Sequence, residues 1–249
     1  MLEIAIIFIL GTVVGSFVNV LAARTVTGKS IIFPRSFCDA CAKPLWRRDM
    51  IPVVSFFLLR ARCRFCRVKL SWQYPIVEFV VGTLFAIAWT QFSGAALFSS
   101  WIAIMILVAL FLTDVRAMVL PARITHTAII FFLAFDFFTL GSHPLNAVRS
   151  LAVGIIIGGG FFFLQYVVSR GAWIGEGDIW LGLLMAVILR RWELVVIAIF
   201  LGYIIGAIVS VGLLARHAKK LKSEVPLGAF LTVATIIVLL SERLIPLLS

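Results

Sequence analysis

Eight apolar stretches divide this sequence, at about 2–23, 74–92, 98–113, 124–140, 147–168, 178–189, 193–214 and 226–248. Most are close to the roughly 20 residues a helix needs to cross the hydrocarbon core of a bilayer. Lipid offers the backbone no hydrogen-bond partner, and a helix meets that condition by bonding its own N–H and C=O groups. The expected fold is therefore all-α and polytopic, with about eight transmembrane helices. The stretch beginning at Asp178 is the shortest, and a tilted or re-entrant segment there would reduce the count to seven. The chain is 63% hydrophobic and 13% charged, against about 45–50% and about 25% for an ordinary soluble domain. No separate soluble enzyme domain of useful size is left over, so any chemistry belongs to the membrane region or to one loop.

That loop is 24–72, and it holds 11 of the 22 basic residues, from Arg24 and Lys29 to Arg67 and Lys69. If it is cytoplasmic and the helices alternate, the same side also receives Arg116, Arg123, Arg170, Arg216, Lys219, Lys220 and Lys222, which makes 18, and only Arg149, Arg190, Arg191 and Arg243 lie opposite. The bias of basic residues to the cytoplasmic side then sets the N-terminus outside and the loop inside. The first helix is expected to be retained, because a secretory signal needs a basic n-region and only Glu3 is offered here. The same bias, with attraction to anionic lipid, accounts for the net charge of +11. No nucleic-acid partner is expected. The chain divides into a first transmembrane helix at 1–23, a loop domain at 24–72 and a transmembrane domain at 73–249.

All four cysteines fall in the loop, as Cys38-x2-Cys41 and Cys63-x2-Cys66. Thiolates three residues apart on a tight turn converge on one tetrahedral ion, and a second such turn closes the shell. Four protein ligands leave no place for a reacting water, so the expected zinc is structural. A disulfide framework is the alternative, and a reducing cytoplasm argues against it. With about 49 residues, the loop has too little core to fold reliably alone, and metal binding supplies much of its folding free energy.

Two acids stand where apolar segments meet polar turns: Asp114 in LFLTDVRAMVLPARIT and Asp178 in WIGEGDIWLGLL. Charge counting places both at the cytoplasmic face, and a carboxylate at that boundary is costly unless it is used or paired. Two adjacent carboxyl groups sharing one proton supply the base and the acid that peptide hydrolysis needs. Gly175 and Gly177 flank Glu176 just before Asp178 and would permit a tight turn and a close substrate approach. Pro121 bends or ends the connection after Asp114. The plainer alternative is that each Asp caps a helix or pairs with Arg116, Arg123 or Arg170. Glu78 is expected to bond a backbone or basic partner near the interface, and Asp136 to be solvated near the outer end of the fourth helix. His126, His143 and His217 show no metal spacing. Gly11/Gly15, Gly154/Gly158 and Gly202/Gly206 are GxxxG pairs, read as helix packing.

The chain resembles the bacterial prepilin peptidases, the leader peptidases of type IV pilus and type II secretion systems, over nearly its whole length. The resemblance is carried by GSFVNVLAAR (Gly15 to Arg24), RSFCDACAKPL (Arg35 to Leu45), DMIPVVSFFLLRARCRFC (Asp49 to Cys66), LSWQYPIVE (Leu70 to Glu78), TDVRAMVLPARIT (Thr113 to Thr125) and GEGD (Gly175 to Asp178). It implies a GxGD-type aspartic endopeptidase of the inner membrane that removes a short basic leader from prepilins and pseudopilins after a glycine, on the cytoplasmic side. Asp114 and Asp178 carry over as the catalytic pair. It also implies methylation of the new N-terminus with S-adenosylmethionine, although no glycine-rich nucleotide loop is visible. The chain departs from the family pattern at Trp180, where lysine is common, at Ala122, where asparagine is common, and at VPLGAF, where PFGPF is usual. Two other readings stand beside this one: a proton-coupled transporter with a zinc-ribbon regulatory loop, and a peptidase without the methyltransferase activity.

Overall fold

A computed structural model of the chain describes residues 1–30, 33, 36–139, 144–215 and 225–241. Arg35, His143, Arg216, His217, Lys219, Lys220, Lys222 and Arg243 lie outside the described residues. Nine α-helices are described: α1 (Leu2–Val26), α2 (Val54–Leu58), α3 (Gln73–Gln91), α4 (Gly94–Ala117), α5 (Ala122–Thr139), α6 (Pro144–Ser169), α7 (Glu176–Leu189), α8 (Trp192–Ala215) and α9 (Leu227–Ser241). A 3-10 turn at Arg47–Met50 and isolated β-bridges at Phe37–Pro44 and Arg62–Lys69 accompany them among the described residues.

Six of these helices are long and apolar enough to cross a membrane, namely α1, α3, α4, α5, α6 and α8. The protein is thus a multi-pass membrane protein. The other two apolar helices are shorter, 14 residues in α7 and 15 in α9. Helix ends differ from the hydropathy boundaries most clearly in α4, which runs to Ala117 although the apolar stretch stops at 113. Hydropathy falls at the first polar residue, whereas the backbone ladder continues for a further turn. Asp114 is therefore inside α4 rather than beyond it.

The chain forms two compact units, Met1–Met105 and Ile106–Ser249. In the first, α1 and α3 run antiparallel with their backbones in contact. A Cβ on Gly11 would lie 2.8 Å from Gly82 Cα, and one on Gly15 would lie 2.8 Å from Glu78 Cα. Small residues allow this approach, and close packing of this kind substitutes in lipid for the hydrophobic drive available in water. Phe85 of α3 and Trp101 of α4 stack at 5.3 Å between centroids.

In the second unit α7 is central, packed against α5, α6, α8 and α9. Leu181, Leu184, Met185 and Ala186 have no solvent exposure. Gly182 of α7 meets Gly158 of α6 backbone to backbone, and Gly202 and Gly206 of α8 receive Leu231 and Phe230 of α9. The three GxxxG pairs act in helix packing, as expected. Asp136 corrects one expectation. It is only 3% exposed, and its Oδ1 accepts a hydrogen bond from Arg190 Nε at 2.7 Å. Its distance from the helix centre suggested solvation, but α7 ends beside it, and Arg190 at the left-handed C-cap of α7 (φ 59°) turns back to pair with it.

Candidate active site and metal centre

Asp114 occupies the last full turn of α4, which the N–H of Met118 closes on the Asp114 carbonyl at 2.8 Å. Met118 then adopts φ 52° and reverses the chain. Pro121 directly precedes α5, a position that tolerates the missing N–H and the fixed φ. Asp178 is the third residue of α7, behind the N-cap Gly175. Its Oδ2 accepts the Gly175 N–H at 3.1 Å, as an acid at this position does in a capping box. Asp114 does the same for another helix: its Oδ2 accepts the N–H of Ala229, the third residue of α9, at 2.7 Å. Both carboxylates thus stand at helix N-termini, where the helix dipole favours negative charge.

Capping, the plainer alternative, therefore holds for both residues but uses only part of each. Oδ1 of Asp114 and Oδ1 of Asp178 accept no hydrogen bond from a described residue, and neither is fully sealed from the surface. Neither carboxylate forms an ion pair among the described residues. The two are near enough to interact electrostatically. With 5% and 8% exposure, Asp114 and Asp178 are fixed in place through Oδ2 and offer Oδ1 to a water or a substrate.

One apolar side chain joins the two N-termini. A Cβ on Gly177 would sit 3.0 Å from Leu120 Cβ, and one on Gly228 would sit 3.0 Å from both Leu120 Cδ1 and Asp114 Oδ2. Gly177 is thus needed for the approach of Leu120 rather than for a left-handed turn, since its φ is not positive. Leu120, Gly228 and Ala229 were not legible as site residues. The only available signal was that VPLGAF is a departure from a recurrent segment, which carries no direction in space.

Trp180 lies two residues after Asp178, about 200° around the helix. Its ring meets His126 of α5 edge-on at 4.2 Å between centroids. Trp180 therefore faces α5 and does not share the carboxylate's face. Tyr203 of α8 donates a hydrogen bond to Gln165 Oε1 of α6 at 3.0 Å, within electrostatic reach of Asp178.

The metal centre belongs to the first unit. The four Sγ atoms of Cys38, Cys41, Cys63 and Cys66 lie within 4.8 Å of one another, and none is in a disulfide. Cys38 Sγ and Cys66 Sγ are 3.8 Å apart, the edge expected of a tetrahedron with metal–sulfur bonds of about 2.3 Å. The cluster can hold a metal ion. The two knuckles repeat one backbone pattern: the N–H of Ala42 bonds the Cys38 carbonyl at 2.8 Å, and that of Arg67 bonds the Cys63 carbonyl at 3.1 Å. Backbone N–H groups of Cys66 and Phe65 bring the Cys63 thiol down to about 6. At Cys66 the Val68 N–H acts downward, but burial and the neighbouring sulfurs prevail and raise the thiol to about 11. Arg64 holds Asp49 through Nε at 3.0 Å and Nη2 at 2.6 Å, keeping that carboxyl below its ordinary range.

The sequence matches the model of the bacterial peptidase A24 N-terminal domain over residues 9–92, which contain all four cysteines. It matches the model of the type IV leader peptidase family over residues 101–211, which contain both aspartates. A prepilin leader peptidase/N-methyltransferase of Bacillus subtilis (strain 168) is 31% identical over 223 residues, covering 87% of this chain and 86% of the relative. One of Myxococcus xanthus (strain DK1622) is 32% identical over 218 residues, covering 86% and 64%. One of Aeromonas hydrophila is 29% identical over 228 residues, covering 85% and 73%. No solved structure matches the chain.

Proposed function

Because the chain belongs to the type IV leader peptidase family, we propose that it is a prepilin leader peptidase in which Asp114 and Asp178 hydrolyse the peptide bond. The observation that carries this reading is the arrangement of the two carboxylates. Each is held by a backbone N–H through Oδ2 and has Oδ1 without a described protein partner. The substrate is a prepilin or pseudopilin with a basic leader and an apolar N-terminal helix. That helix enters from the lipid and sets the bond after the leader's glycine at the level of the two acids.

Hydrolysis follows from one shared proton. The unprotonated carboxylate takes a proton from water as its oxygen attacks the carbonyl carbon, and the protonated carboxyl donates to the developing tetrahedral oxyanion. Collapse breaks the C–N bond, with a proton returned to the leaving nitrogen. The products are a leader ending in a glycine carboxylate and a mature chain with a free amine. Methylation of that amine, with S-adenosylmethionine as donor, is proposed from family membership.

In the same reading the chain is organised as a first transmembrane helix at 1–23, a metal-binding loop domain at 24–72 and a protease domain at 73–249. The cysteines hold structural zinc; four sulfur ligands suit that ion and leave no coordination site for chemistry. The α7 and α9 helices complete eight membrane-embedded helices in the inner membrane, with the N-terminus outside and the loop and active site cytoplasmic. Purified protein incubated with a prepilin tests the proposal: a product shortened at the glycine is expected, and an uncleaved substrate would overturn it.

A further inference from the structure

The segment between the two halves of the metal cluster does not stand clear of the membrane helices. Glu78 lies five residues inside α3, about 7–8 Å along the axis from its start. Its Oε2 accepts the N–H of Val53, a loop residue, at 2.6 Å. Gly15, in the middle of α1, packs at the same level on the Glu78 backbone. Val53 is thus drawn down beside two membrane-spanning helices, to a depth where α3 already turns Ile76 and Phe79 outward, 55% and 54% exposed.

This placement is enforced at a conformational cost. Val53 has φ 60° and ψ −56°, and Val54 N–H bonds the carbonyl of Pro52 across it. A positive φ at a β-branched residue persists only when its surroundings hold it there. Immediately after this turn comes α2. Phe56, 5% exposed, is its anchor, set edge-on to Trp72 at 4.9 Å just before α3 begins. Ile51, Val54, Phe57 and Leu58 point the other way, 48%, 51%, 58% and 76% exposed. Trp72, 58% exposed, continues the same apolar surface, and a tryptophan at the end of a spanning helix belongs to the lipid–water interface.

Exposed cationic side chains flank this segment in the chain at Arg47, Arg48, Arg60 and Arg62. The whole loop carries 11 basic residues against Asp39 and Asp49, and Asp49 is neutralised by Arg64. An apolar patch at interfacial depth with a basic rim matches the headgroup region of an anionic bilayer.

We infer that the Ile51–Leu58 segment is an interfacial anchor that inserts Phe57 and Leu58 into an anionic lipid surface beside α3. The anchor sets the metal cluster at a fixed height over the membrane through covalent continuity on both sides. The inference needs only that α1 and α3 cross the membrane.

The test uses the full-length, metal-loaded protein in nanodiscs containing phosphatidylcholine and phosphatidylglycerol. A genetically encoded fluorescent amino acid is placed at position 58, or at lipid-facing position 79 of α3 as reference. Brominated acyl chains are expected to quench both sites, and aqueous iodide is expected to lose access to both. Iodide quenching at 58 would overturn the inference. Protection of 58 from both quenchers would overturn it too, since another protein surface would then cover the patch. Removing phosphatidylglycerol should reduce bromolipid quenching at 58, and Arg60→Gln with Arg62→Gln should reproduce that reduction. Quenching that ignores both changes would contradict an anionic partner.

Discussion

The N–H of Ala229 donates to Oδ2 of Asp114 at 2.7 Å, so a carboxylate near the end of α4 caps the start of α9. Asp114 is therefore positioned by a helix more than a hundred residues further along the chain. Gly228 lies in the same contact, where an added Cβ would be 3.0 Å from Asp114 Oδ2 and from Leu120 Cδ1.

Gly228→Ala is expected to push the carboxylate by a few tenths of an ångström and lower prepilin cleavage by about tenfold, less than the roughly hundredfold that a 1 Å misplacement costs. Ala229→Pro removes the donor and also places its ring Cδ where the N–H met Oδ2, so the carboxylate must move further and the loss should be larger, about a hundredfold. Steady-state cleavage kinetics on the two variants, with thermal unfolding in detergent as the folding control, check this ordering.

The Arg190–Asp136 pair closes the far end of α7. Arg190→Ala leaves a buried carboxyl uncompensated, and the cost should be about 1–3 kcal/mol, discounted because Arg190 is partly exposed. Replacing both residues by leucine should be milder than Arg190→Ala alone. Thermal unfolding in detergent measures both. Equal destabilisation would mean that the pair acts through packing rather than charge.

Metal binding to the cysteines should be linked to pH. Cys63, near 6, is already ionised at neutral pH, whereas Cys66, near 11, must give up its proton to the metal. Loading therefore releases protons. Metal retention should weaken as pH falls across the neutral range, because Cys66 is protonated there in the metal-free site, and more steeply below about 6, where Cys63 is protonated too. Chelator titrations at several pH values, followed by metal analysis, test the slope. Stripping the metal should expose the loop to proteolysis while the membrane helices stay resistant.

Val53→Gly relieves the positive φ, a strain of roughly 1–3 kcal/mol, and should leave metal content unchanged or raise loop stability. Glu78→Gln weakens the acceptor for the Val53 N–H and should increase proteolysis between 51 and 62. Limited proteolysis of the two variants beside the parent protein separates strain from anchoring.

Much of this arrangement was legible in the chain. Apolar length gave the helices, because lipid leaves a backbone little choice. The Cys-x2-Cys spacing gave the cluster, since each half is made by one local turn. The aspartates were legible as a pair, but their partners were not. Ala229 and Leu120 reach the acids through tertiary packing, which leaves no periodic trace. Asp136 was misread for the same reason, as its partner Arg190 is 54 positions away. Trp180 stands out in the chain only as a departure from the family pattern, and nothing in that signal shows that helix geometry turns it toward His126.

In the proposed mechanism Asp114 and Asp178 together carry the hydrolysis. The most direct test is intact-mass analysis of prepilin after incubation with the parent protein, Asp114→Asn and Asp178→Asn, each confirmed to retain its metal. The parent is expected to yield a product shortened at the glycine, and both variants are expected to leave the substrate at full mass. A variant that still releases the leader would contradict that mechanism.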